Sequence, residues 1–159
     1  LVVKVHKLYE TYKMAERCLD EKTFIKKRFK QIRNFEEYLY DNSYRVVKIF
    51  LNVSADTQKE RFLERLERPE KHWKFSSSDI PERELWNEYN EAYEETVNET
   101  STKECPWYVI PADQKWYSRY LVSEAILDTL KKIDPQYPEV PEEEEAKYPE
   151  YIAKLNAEE

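Results

Sequence analysis

The chain has 159 residues, 37% of them charged and 40% hydrophobic, with a net charge of −7; that suffices for one domain with a core, and no apolar run approaches the ~20 residues of a membrane span. Cys18 and Cys105 form no CxxC pair, and His6 and His72 are the only histidines, which points to a reduced, cytoplasmic chain and against a zinc site. Glycine is absent, where average usage of roughly 7% would give about 11, so these residues cannot build a glycine-rich phosphate loop, which needs glycine for its backbone N–H groups to cradle phosphates.

Residues 1–12 run from apolar to mixed and read as the end of an element that starts upstream; with no initiating Met, the sequence suggests a piece of something longer. Over residues 21–40, Ile25, Phe29, Ile32, Phe35 and Leu39 recur at spacings of four, three, three and four, which predicts an amphipathic helix. Asp41-Asn42-Ser43 ends it, with Asn42 able to take the left-handed conformation usually given to glycine. Residues 44–52, YRVVKIFLN, read as a buried parallel strand. Ser54 caps a helix to about Leu66, Asp56 suits its first turn, and Pro69 stops it. Residues 70–78 lack periodicity and read as a loop. Asp79 and Glu82 form a capping-box pattern for a helix that buries Leu85, Trp86, Tyr89, Ala92, Tyr93, Thr96 and Val97. A turn over 100–106 leads to a second short strand, WYVIPA at 107–112. The helix predicted over 115–133 has Tyr120, Leu121, Ala125, Ile126 and Leu130 on its apolar side.

Strands that alternate with helices imply a parallel sheet with helices on both faces. From residue 134 the sequence turns proline-rich and acidic, nine acids against Lys147 and Lys154, and reads as an extended tail, with room for a short helix over 148–159. The tail carries the whole net charge, because residues 1–133 hold 24 basic and 24 acidic side chains. A neutral body with a repelling tail argues against nucleic-acid binding.

The chemistry concentrates at RFLERLERPEKHWKFSSSDIPER, residues 61–83. Arg65, Arg68, Lys71 and Lys74 recur every third residue, and Arg83 follows at the start of the next helix. Such cations serve polyanions and transferring phosphoryl groups. By pattern alone, a solvated face of Glu–Lys and Glu–Arg pairs is the stronger reading, since Glu64, Glu67 and Glu70 are interleaved.

The order of residues shifts that balance. RLERPEKHWKFSSSDIPER closely resembles the lid segment of the polyphosphate kinase 2 family. KQIRNFEEYLYDN, KIFLNVSADTQKERF, WNEYNEAYEETVNETST and PWYVIPADQKWYSRYLVSEAIL match in the same order, so the resemblance covers residues 1–133. It implies an α/β fold like that of thymidylate kinase, here a partial P-loop kinase-like sheet in a mostly helical stretch. It also implies two segments: a C-terminal part of the kinase domain over 1–133 with a lid at about 65–83, and an acidic tail over 134–159. The implied activity is phosphoryl transfer between inorganic polyphosphate and nucleotides (AMP, ADP or GDP) with Mg²⁺, in an enzyme that assembles as a homo-oligomer. The family's Walker A loop, its Walker B Asp-Arg and the metal-binding aspartates precede the part that matches here, so the resemblance assigns no metal ligand to these residues and leaves this chain alone expected to be inactive. Ser43 stands where the family usually has glycine.

Position by position, the resemblance gives Arg65, Lys74 and Arg83 a catalytic role, and Arg68 and Lys71 a phosphate-binding one. It casts Trp73 and Phe75 as anchors of the loop on the body. Asp79 reads as a helix cap, Trp86, Tyr89 and Tyr93 as core, and Cys105 as core; His72 alone proves little. Lys115 and Arg119 leave a phosphate role and a surface role open, the surface role being favoured. The competing function is a non-catalytic polyphosphate-binding or oligomerisation fragment of the same family.

Overall fold

The computed structural model describes residues 1–14 and 20–158; Cys18 lies outside them. They form two units, Leu1–Thr129 and Leu130–Glu159.

In the first unit, α1 (Val2–Val5) and a 3₁₀ turn (Leu8–Thr11) precede the long helix α2 (Glu21–Asp41). Asp20 caps α2 by accepting from the Thr23 N–H at 2.9 Å. The buried start of α2 is apolar: Phe24, Ile25 and Phe29 cluster with Tyr9, against Val3 and Tyr12. The apolar stripe read from the sequence does not stay buried, however. Phe35 is 61% exposed, and Glu36 turns inward instead. Its carboxylate meets the ammonium of Lys48 at 2.7 Å, and that ammonium also donates to the Thr100 carbonyl at 2.5 Å. A buried charge is tolerated when it is paired and hydrogen-bonded, and this network joins α2 to Lys48 and to the backbone at Thr100.

The end of α2 departs from the sequence reading by one residue. Asn42 keeps φ −89°, and Ser43 takes the left-handed position at φ 69°. Ser43 N–H bonds to the Tyr40 carbonyl and Tyr44 N–H to the Leu39 carbonyl, the paired hydrogen bonds of a Schellman cap. Asn42 contributes differently: its side-chain amide donates to the Tyr38 carbonyl at 2.7 Å.

Two strands, β1 (Lys48–Asn52) and β2 (Trp107–Pro111), pair in parallel, Lys48 opposite Trp107 through Asn52 opposite Pro111. β1 is shorter than the predicted strand, because residues 44–47 lie outside the ladder. Parallel pairing needs a crossover, supplied by α3 (Ala55–Glu67), a 3₁₀ segment (Pro69–Lys74), α4 (Asp79–Glu84) and α5 (Trp86–Thr100). Ser54 caps α3 as expected, accepting from the Thr57 N–H at 3.2 Å. The supposed loop after Pro69 is thus partly 3₁₀ helix, and the single helix expected from Asp79 is broken at Leu85 (φ −89°, ψ 26°).

After β2, α6 (Lys115–Ile133) buries Ser118 and Ala125. Tyr120, Ile126 and Leu130, expected inside, are exposed, because the buried face follows Ser118, Leu121, Ala125 and Thr129 instead. Cys105 and Thr100 are fully buried at the foot of β2, as expected for Cys105. The second unit carries α7 (Glu142–Glu145) and α8 (Tyr148–Asn156) beyond the end of α6, so the tail is not extended throughout. No helix of the described residues is long and apolar enough to cross a membrane.

Candidate functional site

A cleft of about 590 Å³ opens beyond the carboxyl end of β1, where open α/β sheets place their ligands. Phe50 to Val53 form its floor. α3 contributes Gln58, Arg61, Phe62 and Arg65, α4 contributes Asp79, Glu82 and Arg83, and α5 contributes Trp86, Tyr89, Asn90 and Tyr93. The apolar wall is ordered by packing: Phe50 stacks on Tyr93 with ring centroids 4.2 Å apart. Trp86, Tyr89 and Tyr93, read from the sequence as core, therefore stand half-buried on the wall of the cleft.

Arg61 and Arg65 are four residues apart on α3, so they share a face, and Arg83 meets them from α4. Each guanidinium is held by neutral groups. Arg61 donates to the carbonyls of Ala112 and Asp113 at 2.8 and 2.9 Å. Arg83 donates to the Ala55 carbonyl and to Gln58 Oε1, both at 2.8 Å. Arg65 lies 5.3 Å from the Phe62 ring centroid, in cation–π range. Among the described residues none of the three makes a direct ion pair with a carboxylate, the nearest electrostatic partner being Asp113 beside Arg61, so positive charge remains available to an anion in the cleft.

The two acids of the cleft are engaged elsewhere. Glu82 accepts from Tyr89 Oη–H at 2.6 Å and meets His6 Nε2 at 2.9 and 3.0 Å. The Tyr89 hydroxyl, and after it His6, holds the Glu82 carboxyl below its ordinary range. Burial first, and Glu82 second, push the Tyr89 phenol up to about 12. Asp79 Oδ2 faces the Ser76 N–H at 3.4 Å. The capping box read from Asp79 and Glu82 is thus not formed. Ser78 is the N-cap residue of α4 and makes no side-chain cap, and Glu82 is drawn away by His6 and Tyr89.

The structure divides the sequence-predicted cations. Arg65 and Arg83 line the cleft; Arg68, Lys71 and Lys74 do not. Lys71 Nζ pairs with Glu64 Oε1 at 2.5 Å and Arg68 with the same carboxylate at 3.3 Å, which hold Glu64 below its usual range, Lys71 foremost. Lys74 Nζ sits 4.9 Å from the Trp73 ring centroid. Trp73 is 79% exposed and anchors nothing; Phe75 alone packs inward, edge-on to Phe62 at 6.4 Å. Lys115 and Arg119 line a neighbouring groove with Trp116 and Asp113, which shares Arg61 with the cleft.

Sequence reading missed Arg61, Gln58 and Asn90. Arg61 had a local signal, its i,i+4 relation to Arg65. The junction of His6, Glu82 and Tyr89 had none, because it joins residues 76 positions apart. Among the described residues no group of three or more His, Cys, Asp or Glu side chains converges to hold a metal ion.

The family model for Polyphosphate kinase 2 matches residues 10–138. An uncharacterized protein from the chlN 3′ region of Leptolyngbya boryana is 52% identical over 133 residues, 84% of this chain and 98% of that protein. An AMP/ADP-polyphosphate phosphotransferase of Meiothermus ruber is 48% identical over 113 residues, 71% of this chain and 42% of that enzyme. The crystal structure of Polyphosphate Kinase 2 from Arthrobacter aurescens TC1 superposes with a TM-score of 0.77 at 35% identity, over 94% of this chain and 50% of that one. The chain thus spans about half or less of the phosphotransferase and the crystal structure that it matches. With a two-stranded parallel sheet, a crossover of helices and an arginine-lined cleft at the strand end, the chain belongs to the polyphosphate kinase 2 family.

Proposed function

We propose that this chain supplies an arginine-lined phosphate cleft and the closing basic segment of a polyphosphate:nucleotide phosphotransferase that acts on AMP or ADP. The observation that carries the reading is the set of three arginines, Arg61, Arg65 and Arg83, held by neutral partners around one cleft. Phosphoryl transfer asks the protein chiefly for positioning and for neutralisation of charge on the transferring group. Guanidinium groups do both, since their fixed forks match phosphate oxygens two at a time. Arg65 and Arg83 stabilise the transferring phosphoryl group, joined by Lys74 when residues 65–83 close over it; Arg68 and Lys71 hold the phosphate chain. Closure excludes water and strengthens each charge contact. The AMP/ADP specificity of the Meiothermus relative supports the choice of nucleotide. Mg²⁺ is part of the proposal as a cofactor, with its ligands outside these residues, and no step is routed through it.

The test is a phosphotransfer assay with long-chain polyphosphate, Mg²⁺ and AMP or ADP on the full gene product that carries this chain. Arg65→Ala and Arg83→Ala are each expected to lower turnover on the order of a hundredfold, the cost of removing one preorganised transition-state donor. Unchanged kinetics in both variants would remove these residues from the reaction. An inactive wild-type enzyme with intact polyphosphate binding would instead support a binding fragment.

A further inference from the structure

Three arginines in one cleft serve a polyanion only if no carboxylate neutralises them first. Glu82 lines the same cleft as Arg61, Arg65 and Arg83. A carboxylate that reaches contact distance from a guanidinium is attracted to it by several times the thermal energy unless water screens the pair. It makes no such pair here. Both its oxygens are occupied by groups from two other helices, His6 at the end of α1 and Tyr89 on α5. Arg83, the next residue on α4, points to α3 and bonds to Ala55 and Gln58. Adjacent helix residues diverge, so α4 is tied on one side through Glu82 and on the other through Arg83.

We propose that His6 and Tyr89 are positioning residues that sequester the Glu82 carboxylate, and so keep the arginines of the cleft free for a phosphate chain. The inference deepens the proposed function and rests on it. Neither residue touches the reacting atoms; each acts through Glu82. The Tyr89 hydroxyl gives the shorter bond, 2.6 Å, within the range of a charge-assisted O–H···O⁻ contact. Its phenol is held in the donating, neutral form well beyond neutral pH, so the sequestration does not depend on Tyr89 ionisation.

The experiment measures binding of inorganic tripolyphosphate to the full chain by titration calorimetry, with Tyr89→Phe, His6→Gln, Glu82→Gln and Glu82→Gln/Tyr89→Phe. Tyr89→Phe and His6→Gln are each expected to weaken binding about three- to fivefold, the range of a partly exposed charge contact, because the freed carboxylate competes for the arginines. Glu82→Gln is expected to bind more tightly than the wild type, and the Tyr89 change is expected to cost nothing in that background. A merely structural tether predicts the reverse: Glu82→Gln weakens binding, and Tyr89→Phe weakens it further. That pattern overturns the proposal, as does wild-type affinity in both Tyr89→Phe and His6→Gln. A wild-type chain that binds no tripolyphosphate overturns the reading of the cleft itself, and the inference with it.

Discussion

Arg65 and Arg83, which both line the cleft, were singled out through the resemblance, since charge pattern alone favoured a solvated face. Their partners were not. The carbonyls and the amide that hold Arg61 and Arg83 belong to residues 25 to 52 positions away, and no local pattern announces them. The same distance explains why Glu82 was misread as half of a capping box, since tertiary partners outcompeted the local bond. Asp113 shows a further long-range capture, with Oδ1 accepting from the Ser54 N–H at 2.7 Å. That bond holds its carboxyl below the ordinary aspartate range. A depressed folded pKa stabilises the fold above the unfolded value of roughly 3.9, and the gain disappears as pH falls through the folded value. Asp113→Asn is therefore expected to flatten the dependence of the melting temperature on pH below about 4. An unchanged acid limb would remove Asp113 from that role.

At the scale of the element, both strands were visible as short apolar runs and the long helices through periodicity and end signals, whereas their inner faces were not. α2 keeps its apolar stripe inside only through Phe29, and beyond it Glu36 is buried because Lys48 awaits it at the start of β1. A hydrophobic pattern cannot show this, because the compensating charge comes from another element. Lys48→Met leaves Glu36 buried and unpaired, and is expected to destabilise the fold by about 3–5 kcal/mol. Adding Glu36→Leu is expected to recover most of that loss; urea unfolding of the single and double variants decides. The cap of α2 offers a change of opposite sign. Ser43 sits at φ 69°, a region that disfavours any residue with a Cβ. Ser43→Gly is expected to stabilise the chain by roughly 1 kcal/mol, read as a raised urea midpoint at constant m-value.

At the scale of the whole molecule, the fold class was legible because alternating strands and helices leave few topologies. The extent of burial was not, because it depends on what each face meets. Among the described residues the two-stranded sheet has an unpaired outer edge on each strand, and Leu51 and Val109 are 52% and 51% exposed. Uncovered strand edges and apolar faces recruit further chains. The purified chain is expected to self-associate as its concentration rises; sedimentation velocity showing a monomer at every concentration would refute this.

The absence of glycine acts on the other side of the folding equilibrium. Glycine is the residue that gives up most backbone freedom when a chain folds, so a sequence without it samples a narrower unfolded ensemble and has less disorder to lose. Strain returns some of that advantage at Lys7, Ser43 and Asp134, which occupy left-handed positions without being glycine. A chain whose unfolded state is already restricted can hold its shape with few fully buried apolar side chains, and that frees its remaining aromatic surface to line a cleft.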